Sequence, residues 1–322
     1  MLSYLIRRTV YVIPVVLGVA LVTFILFNVV GWDAASQMLG RHASKPEITA
    51  LQRQLGLAGP RWFNLEAART RGWTGLFDSQ WFLYLKQIAT LDFGRSFASN
   101  QKISTLVLNG MLPSLLLAVP IFVIELVVSI AIALIAAYYR NTWIDRTIVV
   151  LCVVGLSVSY LVYILLGQYV LAYQMKLFPI WGFESARYLI LPTIIGVISG
   201  LGSEVRFFRT VMLDEIYQDY VRTAFAKGCP QRTVLFKHVL KNAMIPILTS
   251  VVLTIPFLYT GNLLLETFFG IPGLGYLSVE AINSTDYPVI KATVFVGSVL
   301  YVFASLLTDV CYALVDPRIK LR

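Results

Sequence analysis

Charged residues are scarce in this chain: 13% of its 322 residues are Asp, Glu, Lys or Arg, and 58% are hydrophobic. A soluble domain carries about 25% charged residues, so most of this chain must face lipid or the inside of a helix bundle. The formal net charge of +9 does not indicate nucleic acid as a partner. The basic residues cluster in short segments beside apolar runs, as they do in membrane proteins.

Cysteine and histidine are also scarce. The three cysteines, Cys152, Cys229 and Cys311, are far apart and form no Cys-x-x-Cys pair, and the two histidines are His42 and His238. This pattern predicts neither a disulfide framework nor a metal site. The Gly-x-x-x-x-Gly-Lys-Ser/Thr phosphate-binding loop is missing as well, so we expect no nucleotide or other cofactor to be bound by this chain.

Long apolar runs dominate the rest of the sequence. About 20 apolar residues cross the hydrocarbon layer as a helix, and six stretches qualify: 9–30, 113–139, 147–175, 189–208, 243–267 and 289–314. The sequence therefore predicts an all-α membrane protein with six transmembrane helices. Residues 1–30 contain no small-residue cleavage site, so we expect the first span to remain as an anchor.

Basic residues indicate the orientation of the spans. Arg7 and Arg8 precede the first span, and the short segments 140–146, 206–241 and 318–322 are rich in Lys and Arg. Short loops with excess Lys and Arg stay in the cytoplasm, whereas long loops are largely exempt from this rule. We therefore predict that both termini lie in the cytoplasm.

This topology divides the chain into three regions. They are an N-terminal transmembrane helix (1–30), a large extracytoplasmic loop between helices 1 and 2 (31–112), and a five-helix core (113–322) that includes a polar cytoplasmic segment, 217–246. In the outer loop, apolar residues recur at helical spacing: Trp81, Tyr84, Leu85, Ile88 and Leu91. This pattern favours an amphipathic helix that either lies on the membrane surface or packs against the bundle.

The segment 217–246 is a polar island between two apolar runs. Asp219 and Lys227 suit the first and last turns of a short helix, and Gly228 is the residue type expected just past a helix end. Pro230 is suited to begin a second helix. Small side chains leave a low surface that another protein can approach closely: Thr223, Ala224 and Ala226. We predict a docking element at the membrane surface.

Polar residues inside the spans are candidates for a translocation path. Glu125 falls near the middle of the second span, where a carboxylate must face protein or water. It either contacts a cationic group of a substrate or serves as a hydrogen-bonded packing residue. In the third span, small and hydroxyl residues favour close helix packing, and Tyr163 and Gln168 are the candidates for lining a polar path.

The polar island resembles a known motif. The run Tyr220-Val221-Arg222-Thr223-Ala224-x-Ala226-Lys227-Gly228, continued by His238-x-Leu240-x-Asn242-Ala243-x-x-Pro246, is similar to the "EAA" loop of ABC-importer permeases, especially the B branch of the dipeptide, oligopeptide and nickel permease family. In that family the loop fits a groove on the ATPase subunit. The resemblance implies these ATPase-coupling residues: Asp219, Tyr220, Arg222, Thr223, Ala224, Ala226, Lys227 and Gly228.

Other segments resemble the same family across nearly the whole chain. They are 55–57 (LGL), 91–97 (LDFGRSF), 265–276 (LETFFGIPGLGY), 286–289 (DYPV) and 316–319 (DPRI). Proline and glycines in 265–276 force turns, so we expect an outer gate that includes Glu266, Pro272 and Gly273. Residues 61–79 make the outer loop longer than is usual in the family, and their role stays open.

The resemblance implies a type I ABC-importer permease fold and a transport subunit without a catalytic centre. It implies a second related permease subunit, two ATPase subunits that hold ATP and Mg, and an extracytoplasmic substrate-binding protein, all at the bacterial cytoplasmic (inner) membrane. Peptides are the commonest cargo of the family, and nickel chelates are the alternative.

Two other classes of function are weighed against this one. Gly155-Leu156-Ser157-Val158 superficially resembles the Gly-x-Ser-x of membrane serine proteases, but a serine nucleophile needs an activating base, and neither histidine lies in a predicted span. A transporter driven by an ion gradient would explain Glu125 and the six spans. It would leave the helix-glycine-helix segment without a role.

Overall fold

The computed structural model describes residues 2–30, 44–54, 59–258 and 262–315. Helices make up most of these ranges, which contain no strand beyond an isolated bridge between Arg95 and Lys102. Five described helices are long and apolar enough to cross a membrane, and a pair bent by 92° makes a sixth if it counts as one span. This agrees with the predicted all-α membrane fold of six spans.

Six helices precede the bent pair within the described ranges. Helix α1 covers Leu2–Phe24 and continues as a π-helical turn, Ile25–Val30. The others are α2 (Lys45–Gln54), α3 (Leu65–Arg71), α4 (Trp73–Leu76), α5 (Gln80–Thr90) and α6 (Ile103–Tyr138). The segment 55–57 lies outside the described residues.

The bent pair and the C-terminal half complete the series. The helices are α7 (Trp143–Ser157), α8 (Tyr160–Gly167, extended by a π-helical turn, Gln168–Gln174), α9 (Arg187–Ile216), α10 (Asp219–Ala226), α11 (Gln231–Thr233), α12 (Leu240–Leu258), α13 (Leu263–Phe269), α14 (Leu274–Asn283) and α15 (Tyr287–Val315). A π-helical turn, Val234–Val239, joins α11 to α12. The segment 316–319 lies outside the described residues.

Two of the predicted spans have different bounds in the structure. The third is broken at Val158 and Ser159, whose extended backbone separates α7 from α8. The fifth runs over Gln231–Pro256 instead of 243–267, because the residues before 243 join the helix and Leu263–Phe269 forms a separate short one. The first residues of this span are partly polar, so a criterion based on the length of apolar runs did not include them.

Contacts divide the chain into two compact units, which are described separately. The first unit contains the described parts of 1–5, 111–276 and 303–322. Its helix α9 packs against α7, α8 and α12. One apolar cluster joins the C-terminal part of α9 to the residues that follow it: Phe208, Met212, Val221, Ala224, Val234, Leu235, Val239, Ala243 and Ile247. This cluster fixes the polar segment to the bundle.

The second unit contains the described parts of 6–110 and 277–302. Its core joins α1, α5 and α15 through Phe24, Tyr84 and Phe295, which are at most 3% exposed. Trp81, Leu85 and Ile88 pack against these residues. Of the two alternatives for the amphipathic helix, packing against the bundle is therefore the one observed for α5.

A lysine lies inside this core. The ammonium group of Lys291 in α15 lies 3.8 Å from the ring centroid of Tyr84 and 5.6 Å from that of Phe24. It also donates a 2.7 Å hydrogen bond to Asn28 Oδ1. Aromatic faces attract cations, so these contacts stabilise a charge that would otherwise be costly within a span.

Candidate coupling element and gate

The short helix α10 follows α9 and corresponds to the predicted docking element. Gln218 precedes it in an extended conformation, and Asp219 stands in its first turn, where a carboxylate suits the helix N-terminus. Val221 and Ala224 are only 1% and 6% exposed, and both belong to the apolar cluster of the first unit. The helix is thus anchored to its own bundle by one face, and its other face is open.

Tyr220 strengthens this anchor. It is half-buried, and its hydroxyl donates a 2.5 Å hydrogen bond to Glu215 Oε2 near the end of α9. Burial and this bond raise the pKa of Tyr220 to about 12. Tyr220 is therefore a neutral donor near neutral pH, and it holds α10 to the end of α9.

Gly228 ends the element in a left-handed conformation, with φ of +78°. Its N–H donates to Phe225 O at 2.9 Å, and the N–H of Cys229 donates to Ala224 O at 3.2 Å, which satisfies carbonyls at the helix end. A Cβ at Gly228 would meet no heavy atom within 4 Å. The backbone conformation, and not a lack of space, therefore favours glycine here.

The predicted coupling residues divide between the two faces of this element. Ala224 is buried and Tyr220 is half-buried, so neither lies fully on the open face. The others are exposed: Asp219, Arg222, Thr223, Ala226, Lys227 and Gly228. The open face is therefore polar, with small side chains between its charged ones.

Sequence reasoning missed the exposed aromatic residues beside this face. Phe225 is 45% exposed, Tyr217 59% and Phe236 57%, and the Arg140 guanidinium lies 5.4 Å from the ring centroid of Tyr217. Exposed aromatics and arginine are typical of protein interfaces. The signal in the sequence was an aromatic residue at a position the family motif leaves unspecified.

The second helix expected in the docking element is not separate from the span. Gln231–Thr233 continues through the π-helical turn into α12, and Val234, Leu235 and Val239 are buried along it. Asn242 donates to His238 O at 3.0 Å within this stretch. Movement of the segment after Gly228 would therefore act directly on α12.

The predicted gate is organised around Glu266, which is fully buried in α13. Its carboxylate accepts hydrogen bonds from the Ser114 hydroxyl (2.7 Å) and from the backbone N–H groups of Asn262 (3.0 Å), Gly275 (2.7 Å) and Tyr276 (3.0 Å). The Ser114 oxygen in turn accepts from the N–H of Leu274 at 2.8 Å. Hydrogen bonds to charged groups are strong, so Glu266 ties the turn 270–275 to α6 and α13.

Two glycines make this close approach possible. A Cβ at Gly273 would overlap with Glu266 Oε2, and one at Gly275 would lie 2.9 Å from the same atom. Pro272, between Ile271 and Gly273, is exposed. The structure therefore brings Glu266 and Gly273 together and leaves Pro272 on the surface.

Gln168 contacts the same region from the third span. Its Nε2 donates a 2.7 Å hydrogen bond to Phe268 O. Gly270 has φ of +66°, and a Cβ there would overlap with the Trp181 ring. The N–H of Gly182 donates to Phe269 O at 2.9 Å. Helix α13 is thus held by hydrogen bonds from Gln168 and Gly182 as well as by those of Glu266.

Tyr163 lies at the break in the third span. Its hydroxyl donates a 2.9 Å hydrogen bond to Gly155 O, one of the backbone carbonyls near the break. Backbone groups left unpaired at a break within a membrane need such partners. In this structure Tyr163 therefore stabilises the bend between α7 and α8.

Glu125 lies beside a small cavity within the first unit. The cavity has a volume of about 30 Å³ and is lined by Glu125, Glu204, Ser250, Thr254 and three apolar residues. A Cβ at Gly200 would overlap with Glu125 Oε1, so the absence of a side chain at this position of α9 makes room for the carboxylate. The cavity has room for a water molecule. Among the described residues, no group of three His, Cys, Asp or Glu is placed to hold a metal ion.

Known proteins resemble this chain over nearly its full length. The family described as "Binding-protein-dependent transport system inner membrane component" matches residues 129–321, and the one described as "Binding-prot-dependent transport system membrane comp, N-term" matches residues 1–118. The chain is 32% identical to the "Dipeptide transport system permease protein DppB" of Alkalihalophilus pseudofirmus, over 99% of this chain and 100% of that protein. It is 31% identical to the "Glutathione transport system permease protein GsiC" of Escherichia coli (strain K12), over 99% of each.

Proposed function

Because the chain belongs to the family of binding-protein-dependent transport system inner membrane components, we propose that it forms half of the translocation path of a peptide importer. It is a multi-pass permease subunit of an ABC importer in the inner membrane, and this family implies an ATPase and a substrate-binding protein as partners. We also propose its cargo, the stoichiometry of the complex and the roles of individual residues.

The names of the relatives support small peptides as cargo. One relative is named as a dipeptide permease and others as glutathione permeases, and both cargoes are short peptides with an ammonium and carboxylate groups. None of the relatives named here is a nickel permease, so the nickel-chelate alternative gains no support from them.

The assembly we propose has a second related permease subunit and two ATPase subunits. The sequence of this chain contains no phosphate-binding loop of the Gly-x-x-x-x-Gly-Lys-Ser/Thr type. ATP and Mg would therefore be held by the ATPases. Both termini would lie in the cytoplasm, because the first span and the short loops carry their basic residues on that side. Helix α10 then also lies on the cytoplasmic side.

The observation that carries the coupling role is the two-faced construction of α10. Val221 and Ala224 fix one face to the bundle, and Arg222, Thr223 and Lys227 leave the other face open. A load applied to the open face would pass to α9 through the Tyr220–Glu215 bond and to α12 through the continuous backbone after Gly228. Closure of the ATPases would thus tilt these two helices as rigid bodies.

Transport in a reconstituted system tests this proposal. The complete transporter, placed in proteoliposomes with its binding protein, is expected to accumulate labelled di- and tripeptides only when ATP is supplied to the ATPase side. Uptake driven by an ion gradient in vesicles that contain this chain without any ATPase would contradict the proposal. Uptake of nickel chelates without uptake of peptides would contradict the cargo.

Gly228→Leu tests the coupling role separately, and Gly94→Leu is its matched control. Both glycines have positive φ, +78° and +81°, and neither would bring a Cβ within 4 Å of another atom, so the backbone penalty of a side chain is similar, about 1–2 kcal/mol. We expect Gly228→Leu to reduce uptake per ATP hydrolysed with normal membrane levels, whereas Gly94→Leu keeps the ratio. Equal ratios in both variants would remove the coupling role from this turn.

A further inference from the structure

Residues 59–79 include the segment 61–79, which lengthens the loop after the first span. They form a loop in the second unit whose two ends lie side by side. Its two ends are held together by hydrogen bonds from Gln80 N to Pro60 O (3.1 Å) and from Trp81 N to Arg61 O (3.0 Å). The Ser79 hydroxyl donates to Trp62 O at 2.6 Å. We call residues 59–79 the aromatic loop.

The interior of the aromatic loop is tightly built. Asn64 Oδ1 accepts from Ala67 N at 2.9 Å, and Asn64 Nδ2 donates to Asp78 O at 3.1 Å. Helices α3 and α4 pack so closely that a Cβ at Gly75 would overlap with Ala67 O. The loop therefore presents its side chains from a defined backbone and does not act as a simple linker.

This well-built loop nevertheless exposes large apolar side chains. Trp73 is 85% exposed, Leu65 69%, Phe63 53% and Phe77 50%. The rings of Phe63 and Phe77 lie 5.9 Å and 4.7 Å from that of Phe82 in α5, so these two join the loop to α5 and still leave half their surface open. Exposed apolar residues concentrated on an ordered loop indicate a surface that binds an apolar partner.

The position of the aromatic loop indicates which apolar partner its exposed side chains contact. At its base, the Trp62 ring lies 5.2 Å from the ring of Phe24 and 6.0 Å from that of Trp81. Phe24 belongs to the span Val10–Val29, about 8 Å along the helix axis from the end of that span at 1.5 Å per residue. Trp62 is therefore held close to the C-terminal end of the first span, and tryptophan is enriched in membrane proteins where spans end.

We propose that the aromatic loop is an interfacial anchor that inserts Leu65 and Trp73 into the leaflet surrounding the C-terminal end of the first span. Its occupant is lipid. The charges of the loop fit this environment, because Arg61 and Arg69 are exposed and can reach lipid phosphates while apolar neighbours enter the acyl boundary. Arg71 is exposed as well, and its Nη1 lies 3.6 Å from Asp78 Oδ2. Only two carboxylates, Glu66 and Asp78, oppose these arginines within the loop.

The binding protein and the second permease subunit are the competing occupants. A binding protein approaches from water, whereas the base of the aromatic loop contacts a spanning helix at Phe24. On the same span, the apolar side chains of Val22 and Leu26 are 57% and 52% exposed, as expected for the surface of a spanning helix that faces lipid. Continuity with this lipid-facing surface favours lipid.

Spin labels at single cysteines test the proposal in the complete transporter. Trp73→Cys and Leu65→Cys would be made in a background with Cys152, Cys229 and Cys311 replaced, after ATP-dependent uptake by that background has been confirmed. Leu17→Cys, 48% exposed within the first span, provides a hydrocarbon reference, and spin-labelled lipids provide a depth scale. Collision with oxygen and with a water-soluble paramagnetic chelate is then compared in nanodiscs.

We expect labels at positions 65 and 73 to collide with oxygen several-fold more than with the chelate, at a depth between the lipid headgroup and the Leu17 reference. Chelate access equal to that of a label in water would overturn the proposal. So would shielding that appears only after the binding protein is added, or low collision with both oxygen and the chelate, because these results identify a binding-protein or a permease contact. Peptide uptake is measured separately, so failure of the anchor leaves the proposed transport function untouched.

Discussion

Glu266 is the residue on which the gate segment depends most directly. It is a buried carboxylate with four hydrogen-bond donors, one hydroxyl and three backbone N–H groups. The turn it stabilises contains a proline and three glycines, and only Ile271 and Leu274 of its side chains are buried apolar ones. Removing the carboxylate would leave several buried donors without an acceptor.

We predict that Glu266→Ala destabilises the gate severely. An unsatisfied buried polar group costs about 1–3 kcal/mol, and Glu266→Ala creates more than one, so the thermal unfolding temperature of the purified transporter should fall and uptake should be lost. The matched control is Glu280→Ala in α14, since Glu280 is exposed. Equal unfolding temperatures for the two variants would contradict this account of the turn.

Lys291 gives a second prediction for a single residue. Lys291→Met keeps the apolar stem but loses the cation–π contacts and the bond to Asn28. A cation–π contact contributes about 0.5–2 kcal/mol, so we expect lower thermal stability, whereas Lys86→Met at an exposed position of α5 should change little. If the unfolding temperature of Lys291→Met were unchanged or higher, the cost of burying the ammonium group would equal or exceed the free energy that these contacts contribute.

The sequence and the structure differ in what they reveal about such residues. Glu266 was singled out from a family motif, but its partner Ser114 comes from α6, 152 residues away, and nothing in the local sequence links the two. No sequence motif singles out Lys291. Its aromatic surroundings are contributed by α1 and α5, so they become visible only after the chain folds.

At the scale of elements, α7 and α9 are joined by a buried ion pair near the polar segment 217–246. Arg209 Nε and Nη2 donate to the two carboxylate oxygens of Asp145 at 2.6 Å and 2.8 Å. Asp145 also accepts from the N–H of Asn141 at 3.1 Å. This bidentate pair fixes the part of α9 that leads to α10.

We predict that Asp145→Ala weakens coupling and stability together. Removing one partner of a buried ion pair costs about 3–5 kcal/mol, because the other charge remains; since the Arg209 side chain is 23% exposed, we expect about 3 kcal/mol. The double variant Asp145→Ala/Arg209→Met removes both charges and should recover part of the lost stability. Denaturant unfolding and peptide uptake per ATP check this, and no recovery would show that the pair itself contributes the stability.

Element boundaries were the part of the fold that the sequence determined least well. The break at Val158 and Ser159 contains neither proline nor glycine, and the hydroxyl that bonds Gly155 O beside it belongs to Tyr163, eight residues further along the chain. The start of the fifth span was missed because residues 231–242 are partly polar, although Val234, Leu235 and Val239 among them are buried. By contrast, the end of α10 was predicted, since Gly228 is required by a local backbone conformation.

At the scale of the whole molecule, composition alone identified the class of protein. Low charge and six apolar stretches predicted an all-α membrane protein, and the family match confirms the permease identity suggested by the motifs. The amphipathic pattern around Trp81 was ambiguous because a membrane surface and a bundle offer the same apolar environment. Only packing against Phe24 and Phe295 distinguishes them.

The cargo path gives a prediction at this scale. Glu125→Gln removes a charge from the small cavity it shares with Glu204 while keeping the side chain's size. If Glu125 contacts the ammonium of a peptide in transit, the variant should transport cationic peptides several-fold more slowly than anionic ones. Wild-type uptake rates for all peptides tested would place Glu125 among the packing residues.

Site-specific photo-crosslinking from α10 tests the central claim most directly. A photoreactive side chain would replace Arg222, on the open face, or Val221, on the buried face, in the complete transporter. The account predicts that position 222 crosslinks to the ATPase subunit and that position 221 crosslinks within this chain. A crosslink from position 222 to the binding protein, to lipid or only to this chain would contradict it.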